Sequence, residues 1–259
     1  MKTKLSVLLL SLVVCLCAFA ILAQGEEEEF QFVLVEELEA NVNMINQYNE
    51  VLTELVSLCK KHNFPYSWST WGSDDFHYFF FYSIKDYSDI AGIEKAQQEI
   101  FKKIGEAKYQ ELLEKALPAI VNFKHYVYRA LPEQTFIPDN PRLKDEEKKF
   151  MTWDIFWPDV LKEQELLETG KEWVALLKAK NVDYESYAFA GDIGTERPVY
   201  LIVEFGKDIN DYWTHSEKMQ ELQGEEGRKL GQRDMAMTLK RRWMNFWFQP
   251  ELSYMPEEK

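Results

Sequence analysis

The sequence predicts an α+β protein in which one β-α-β-β-α-β unit occurs twice, each copy a four-stranded antiparallel sheet with helices on one face. Three pairs of segments predict the repeat. His62-Asn63-Phe64-Pro65-Tyr66 aligns with Lys180-Asn181-Val182-Asp183-Tyr184 at a shift of 181 − 63 = 118. Lys85-Asp86-Tyr87-Ser88-Asp89 aligns with Lys207-Asp208-Ile209-Asn210-Asp211 at 207 − 85 = 122. Pro132-Glu133 and Pro250-Glu251 return the shift to 118. It grows only across a turn, where insertions are tolerated. A period of this length is that of a small domain, too long for a solenoid repeat.

In the first unit, 30–131, Phe30 to Glu36 is a strand. Val42, Ile45, Tyr48, Val51, Leu52, Leu55, Val56 and Cys59 then recur at three- and four-residue steps, an amphipathic helix with Cys59 on its apolar stripe. Phe64 to Trp71 and Phe76 to Ile84 are β-favouring runs joined by the turn Gly72-Ser73-Asp74-Asp75. Helical sequence covers Asp89 to Ala119, with breaks suggested at Gly92, Gly105 and Pro118, and Phe123 to Ala130 is the last strand. In the second unit, 150–250, Phe150 to Phe156 is a strand and Pro158 opens a helix reaching Ala179. Tyr184 to Ala190 and Val199 to Phe205 form a hairpin, helix fills Asp211 to Leu239, and Trp243 to Gln249 closes the unit. The proline-bearing and then charged stretch 132–149 is expected to be a linker, and 251–259 a tail. In the repeated Lys-Asp-x-(Ser/Asn)-Asp, Ser88 and Asn210 are expected as N-caps, with Asp89 and Asp211 in the first helical turn.

Lys2 and Lys4 ahead of the apolar run Leu5 to Ile21, with Ala18, Ala20 and Ala23 after it, have the composition of a secretory signal peptide, 1–23, cleaved before Gln24. The expected product is exported, periplasmic or extracellular, with an acidic leader at 24–29 and no stable membrane insertion. Losing two of the 30 basic residues leaves 28 against 44 acidic ones, a charge near −16 that repels phosphate backbones and argues against nucleic-acid binding. Cys59 becomes the only cysteine, so no internal disulfide forms and the core must hold the fold. Four scattered histidines show no metal-ligand spacing, and phosphate loops, nucleotide fingerprints and a Ser/His/Asp order are absent, so neither metal nor cofactor is expected.

The strand Phe76-His77-Tyr78-Phe79-Phe80-Phe81-Tyr82 is apolar on both parities, so neither face of its sheet can be left in water. In element order and spacing the chain resembles the ferredoxin-like dimeric α/β-barrel superfamily, which includes antibiotic-biosynthesis-type monooxygenases and NIPSNAP-like domains. The resemblance is to its tandem form, one chain supplying both halves, and it implies two sheets packed face to face around a lumen.

Strand parity then selects the lumen residues, on the premise that carboxylates avoid the sheet–helix core. Glu204 brings Tyr200 and Ile202, and its counterparts are Tyr78, Phe80 and Tyr82. Glu36 and Asp154 bring Phe32, Leu34, Thr152 and Phe156. His125, Arg129 and Asn245 bring Trp243 and Trp247, and Glu185 favours Tyr187 and Phe189. An aromatic lumen with a few polar tips suits a small apolar or aromatic ligand bound without catalysis, and it equally suits plain core filling. A cofactor-independent, monooxygenase-like enzyme with His125 and Glu36 moving a proton is the alternative. A third reading is an envelope or stress interaction protein with no ligand. The sequence names neither the ligand nor the oligomeric state.

Overall fold

A computed structural model describes residues 31–256, in two compact units: 31–126 with 249–256, and Val127–Phe248. The expected signal peptide, the acidic leader, Phe30 and the last three residues lie outside the described residues.

In the first unit β1 (Phe32–Ala40) and β2 (Ser69–Ser73) flank β3 (His77–Ile84), all antiparallel. Helix α1 (Ile45–Lys61) turns Tyr48, Val51, Leu52, Leu55, Val56 and Cys59 inward, the face its periodicity predicts. Burial pushes the Cys59 thiol up to about 12, so it behaves as a small hydrophobe. Helices α2 (Ser88–Ile104) and α3 (Glu106–Ala116) are separated at Gly105, whose φ of 85° ends the first of them. Strand β4 (Ile120–Ala130) starts in the first unit and ends in the second.

In the second unit β5 (Phe150–Pro158) lies between β7 (Tyr200–Gly206) and β8 (Thr238–Phe248). Strand β6 (Tyr187–Gly191) pairs with β7, and Tyr128 to Ala130 of β4 pair with β6. Helix α4 (Glu163–Ala179) and the long α5 (Ile209–Met237) cover one face. Helix α5 changes direction at Gly224, where φ 61° and ψ −139° leave the helical region. The stretch 132–149, expected as a linker, is fastened along this unit. Phe136 bridges to Ser186, Arg142 pairs with Asp211 at 2.8 Å, and Lys148 pairs with Glu185 at 2.7 Å.

The matched segments share local geometry. Asn63 and Asn181 both adopt φ 51°, each just past a helix end, where asparagine tolerates a left-handed turn. The next residue donates its N–H back to the helix in each case, Phe64 to Cys59 and Val182 to Leu177. In the Lys-Asp-x-(Ser/Asn)-Asp pair, Lys85 N–H donates to Asp89 and Lys207 N–H to Asp211, at 2.8 and 2.9 Å. The capping oxygens are those of Asp86 and Asp208, not of Ser88 and Asn210. Pro158 ends β5 rather than opening a helix. Asp159 caps a short 3-10 turn, Val160–Lys162, before α4 starts at Glu163.

One expectation is inverted. The residues grouped by parity do share a face, but it is the face under the helices. In the first unit Leu38, Tyr78 and Phe80 pack on Tyr48 and Leu52 of α1, and Leu34 and Glu36 share their side by register. In the second, Phe156 lies opposite Tyr200, Asp154 opposite both Ile202 and Trp243, and Thr152 opposite both Glu204 and Asn245; Phe150, on that face, rests against Tyr212 of α5. Only Tyr187 and Phe189, opposite Val203 and Leu201, lie on the helix-free side. That side is largely apolar in both units, with Val35, Phe79 and Phe81 in one and Met151, Trp153 and Phe246 in the other all buried, and in the first unit Glu37, opposite Phe79, pairs with Lys124. Core filling therefore describes the helix-free faces.

Candidate functional site

Helix α1 buries six residues in 17, whereas α5 buries four in 29. The difference marks an underpacked layer in the second unit. Between its sheet and helices α4 and α5 lies a cavity of about 340 Å³, lined by residues that all belong to Val127–Phe248. Protein interiors leave few voids larger than a water molecule. The space is partly open at its rim, so solvent or a ligand can enter it.

The walls are mostly apolar or aromatic: Phe156, Leu166, Trp173 and Ile202, with Trp243 half-exposed at the rim. Into this space β7 aims Glu204, the carboxylate that the parity argument had turned away from the helices. It is tolerated here because the layer is hollow and supplies donors. Tyr212 of α5 donates its hydroxyl to Glu204 Oε2 at 2.9 Å, and Ser186 is a second partner. Burial raises the Glu204 pKa from 4.5 to about 7; the Asp154 charge adds to the rise and the two hydrogen bonds oppose it.

Other polar groups converge on the same space. Arg241 of β8 donates Nε–H to Asp154 at 2.7 Å, and burial still leaves the Asp154 pKa raised. Trp173 donates its indole N–H to Asp234 at 2.6 Å, and burial lifts Asp234 to about 6. Tyr200 donates to Glu163 at 2.6 Å, while Tyr184 accepts from Gln223 at 3.2 Å. Burial holds the Tyr184, Tyr200 and Tyr212 hydroxyls far above their ordinary pKa, so all three remain donors. His215, 3.1 Å from Asp183, has its pKa lowered by burial and by Arg142.

Of the residues singled out from sequence, Asp154, Tyr200, Glu204 and Trp243 meet at this cavity. Phe156, Phe189 and Ile202, grouped by the same parity argument, line it as well, whereas Tyr78, Tyr82, His125, Arg129, Tyr187 and Trp247 do not. Tyr78 donates to Asn49 at 2.7 Å, and Tyr82 is buried and accepts from Gln97. Tyr187 donates to Glu185, Trp247 packs on Phe150, and Arg129 is exposed on β4 opposite Ala190. His125 and Glu36 do form a close pair in the first unit, Nε2 to Oε1 at 2.9 Å, with the Glu36 side chain only 4% exposed. Burial opposes charge on His125, but Glu36, with Glu94 nearby, holds its pKa above the ordinary histidine value. The distance suits an acid/base couple, although the pair lies outside the cavity.

Sequence reasoning missed Tyr184, Trp173, Tyr212, His215, Asp234 and Arg241. Arg241 was within reach, since it shares the alternation of Trp243 and Asn245. The residues on α5 were not, because that helix packs few side chains and so carries little apolar periodicity. Among the described residues no three His, Cys, Asp or Glu side chains are grouped to hold a metal, and no helix is long and apolar enough to cross a membrane.

No protein-family model and no curated protein matches the chain. Solved structures do. An anthrone oxidase-like protein aligns with TM-score 0.58 and 11% identity, covering 89% of this chain and 95% of that one. A monooxygenase-like protein of Fusobacterium nucleatum gives 0.56 and 10%, covering 86% and 94%. A mutant chlorite dismutase from Candidatus Nitrospira defluvii gives 0.54 and 8%, covering 87% and 94%. The chain shares their ferredoxin-like α+β fold. At these identities the likeness is one of fold alone.

Proposed function

We propose that this protein binds a small apolar or aromatic molecule in the second unit, between the sheet and helices α4 and α5. One observation carries the reading: about 340 Å³ of unfilled space, walled by apolar side chains, into which Glu204 projects. That combination of greasy walls and a few converging polar groups is the usual composition of a small-molecule site. The reading keeps the ligand class expected from sequence and moves its place from a lumen between sheets to the layer under the helices.

Proton transfer to or from the bound molecule is the second reading, favoured by the Glu204 carboxyl near 7. A group poised near neutrality can act as general acid or base. The monooxygenase-like and chlorite dismutase neighbours support an enzyme of this fold without assigning its reaction.

The test is a thermal-shift screen of aryl alcohols and aryl ketones against the protein and Ile202→Phe. Ile202 lines the cavity on the sheet side, so phenylalanine there projects a ring into it and competes with a ligand for the space. Stabilisation of the unsubstituted protein by roughly 1–3 kcal/mol at saturating ligand, weakened in Ile202→Phe, is the expected result. Equal shifts in both proteins would place binding elsewhere and sink the proposal.

A further inference from the structure

Three carboxyl groups line the cavity, Asp154, Glu204 and Asp234, against a single guanidinium, that of Arg241. Arg241 is already engaged by Asp154 through its Nε and Nη2. His215 also lines the space, but burial and Arg142 disfavour its charge. Glu204 and Asp234 are thus left in a hollow, low-dielectric layer with hydroxyl and indole donors and no cation of their own inside it. Asp234 Oδ1 is buried and takes no hydrogen bond. Around these carboxyls stand the rings of Tyr184, Tyr200, Tyr212 and Trp173, whose faces attract a cation.

From this geometry we propose that the molecule taken by the cavity is an amine: a small aromatic or apolar body bearing one protonated nitrogen, the nitrogen seated at Glu204 and the body against the aromatic walls. The inference rests on the reading of this cavity as a ligand site and adds the chemical class of its occupant. An anionic ligand would face two carboxyls with no free cation. A neutral ligand would leave one of the two without a counter-charge whenever it ionised. An ammonium ion supplies that counter-charge and a donor together.

Burial raises the pKa of both Glu204 and Asp234; hydrogen bonds with Tyr212 and Ser186 oppose the rise at Glu204, and Trp173, Arg233 and Arg241 oppose it at Asp234. The titratable groups that line the cavity with Glu204 are Asp154 from β5, Tyr200 from β7, Arg241 from β8, Tyr184 from the segment before β6, and Tyr212, His215 and Asp234 from α5. In that setting, binding R-NH3+ to protonated Glu204 forms the ammonium–carboxylate pair and releases one proton to solvent. Amine affinity therefore rises with pH through the Glu204 titration. A ligand offering only a carbonyl to protonated Glu204 would bind more weakly over the same interval.

Calorimetry with 4-phenylbutylamine and its near-isostere 4-phenylbutanol tests this on the purified protein, Ile202→Phe and Glu204→Gln. The expected amine affinity is about tenfold or more above that of the alcohol near neutral pH. It should strengthen from about pH 6 to about pH 8, with net proton release seen as a buffer-dependent heat. Glu204→Gln should lose the preference and the proton release while still binding the alcohol, which shows that the cavity is intact. Alcohol binding as tight as amine binding, or amine affinity falling with pH, would overturn the amine inference and leave the cavity reading standing. If neither compound binds, or both bind Ile202→Phe unchanged, the inference and the cavity reading fail together.

Discussion

Glu204 sits where β7 meets α4 and α5, and its titration reports on what surrounds it. Burial lifts its pKa from 4.5 to about 7, so the folded protein holds a proton that the unfolded chain releases at lower pH. For an acid raised in this way, the stability contribution is complete below the unfolded pKa and is lost as pH rises through the folded one. Asp234, raised from 3.8 to about 6, acts in the same direction. Thermal unfolding followed from about pH 4 to about pH 8 should show Glu204→Gln close to the unsubstituted protein at the acid end and more stable at the alkaline end. Parallel curves for the two proteins would mean that Glu204 is solvated and unshifted. This residue also shows how alternation grouped residues along the strands while the choice of side failed. Alternation along β5, β7 and β8 correctly grouped Asp154, Tyr200, Glu204 and Trp243, because register depends only on period. The choice of side assumed that a carboxylate cannot sit under helices. That assumption fails in both layers: Glu204 meets hydrogen-bond donors in the hollow one, and Glu36 pairs with His125 in the filled one.

Strands and helices were largely legible because local rules set them. The apolar stripe of α1 and the break at Gly105 are short-range events written in single residues, whereas the caps fall on Asp86 and Asp208, two residues before the expected Ser88 and Asn210, and the bend at Gly224 was not anticipated. Element boundaries were less legible. Strand β8 begins at Thr238, four residues or more before the aromatic run that announced it, because pairing with β5 extends it through Lys240, Arg241 and Arg242. Gly224 gives the sharpest test at this scale. Its φ of 61° with ψ of −139° is a region that side-chain-bearing residues avoid. Gly224→Ala should lose about 1–3 kcal/mol in urea denaturation, although a Cβ there would meet nothing within 4 Å. Gly231, in the same helix, is the control: its added Cβ reaches Trp173 at an ordinary 4.0 Å, and Gly231→Ala should be neutral or stabilising. Equal losses at both sites would show that helix packing, not backbone conformation, governs α5.

At the scale of the whole molecule, the two units divide the labour unevenly. The first is closed on both faces of its sheet, with aromatic and aliphatic side chains buried under the helices and on the helix-free side alike. The second keeps its helix-free face closed and leaves the layer under its helices open, with Glu204, Asp234 and the Asp154–Arg241 pair arranged around the space. Part of that asymmetry is written in α5, which is less apolar and buries fewer residues than α1, but weak periodicity does not reveal the size of the space left beneath it. The central claim is that this hollow exists and accepts apolar matter. Crystals of the protein held under xenon pressure test it most directly, because xenon enters apolar cavities without needing a chosen ligand. The account predicts xenon density among Ile202, Trp173 and Phe156, displaced away from position 202 in Ile202→Phe. A layer found filled by its own side chains, with no xenon between the sheet and helices α4 and α5, would contradict it.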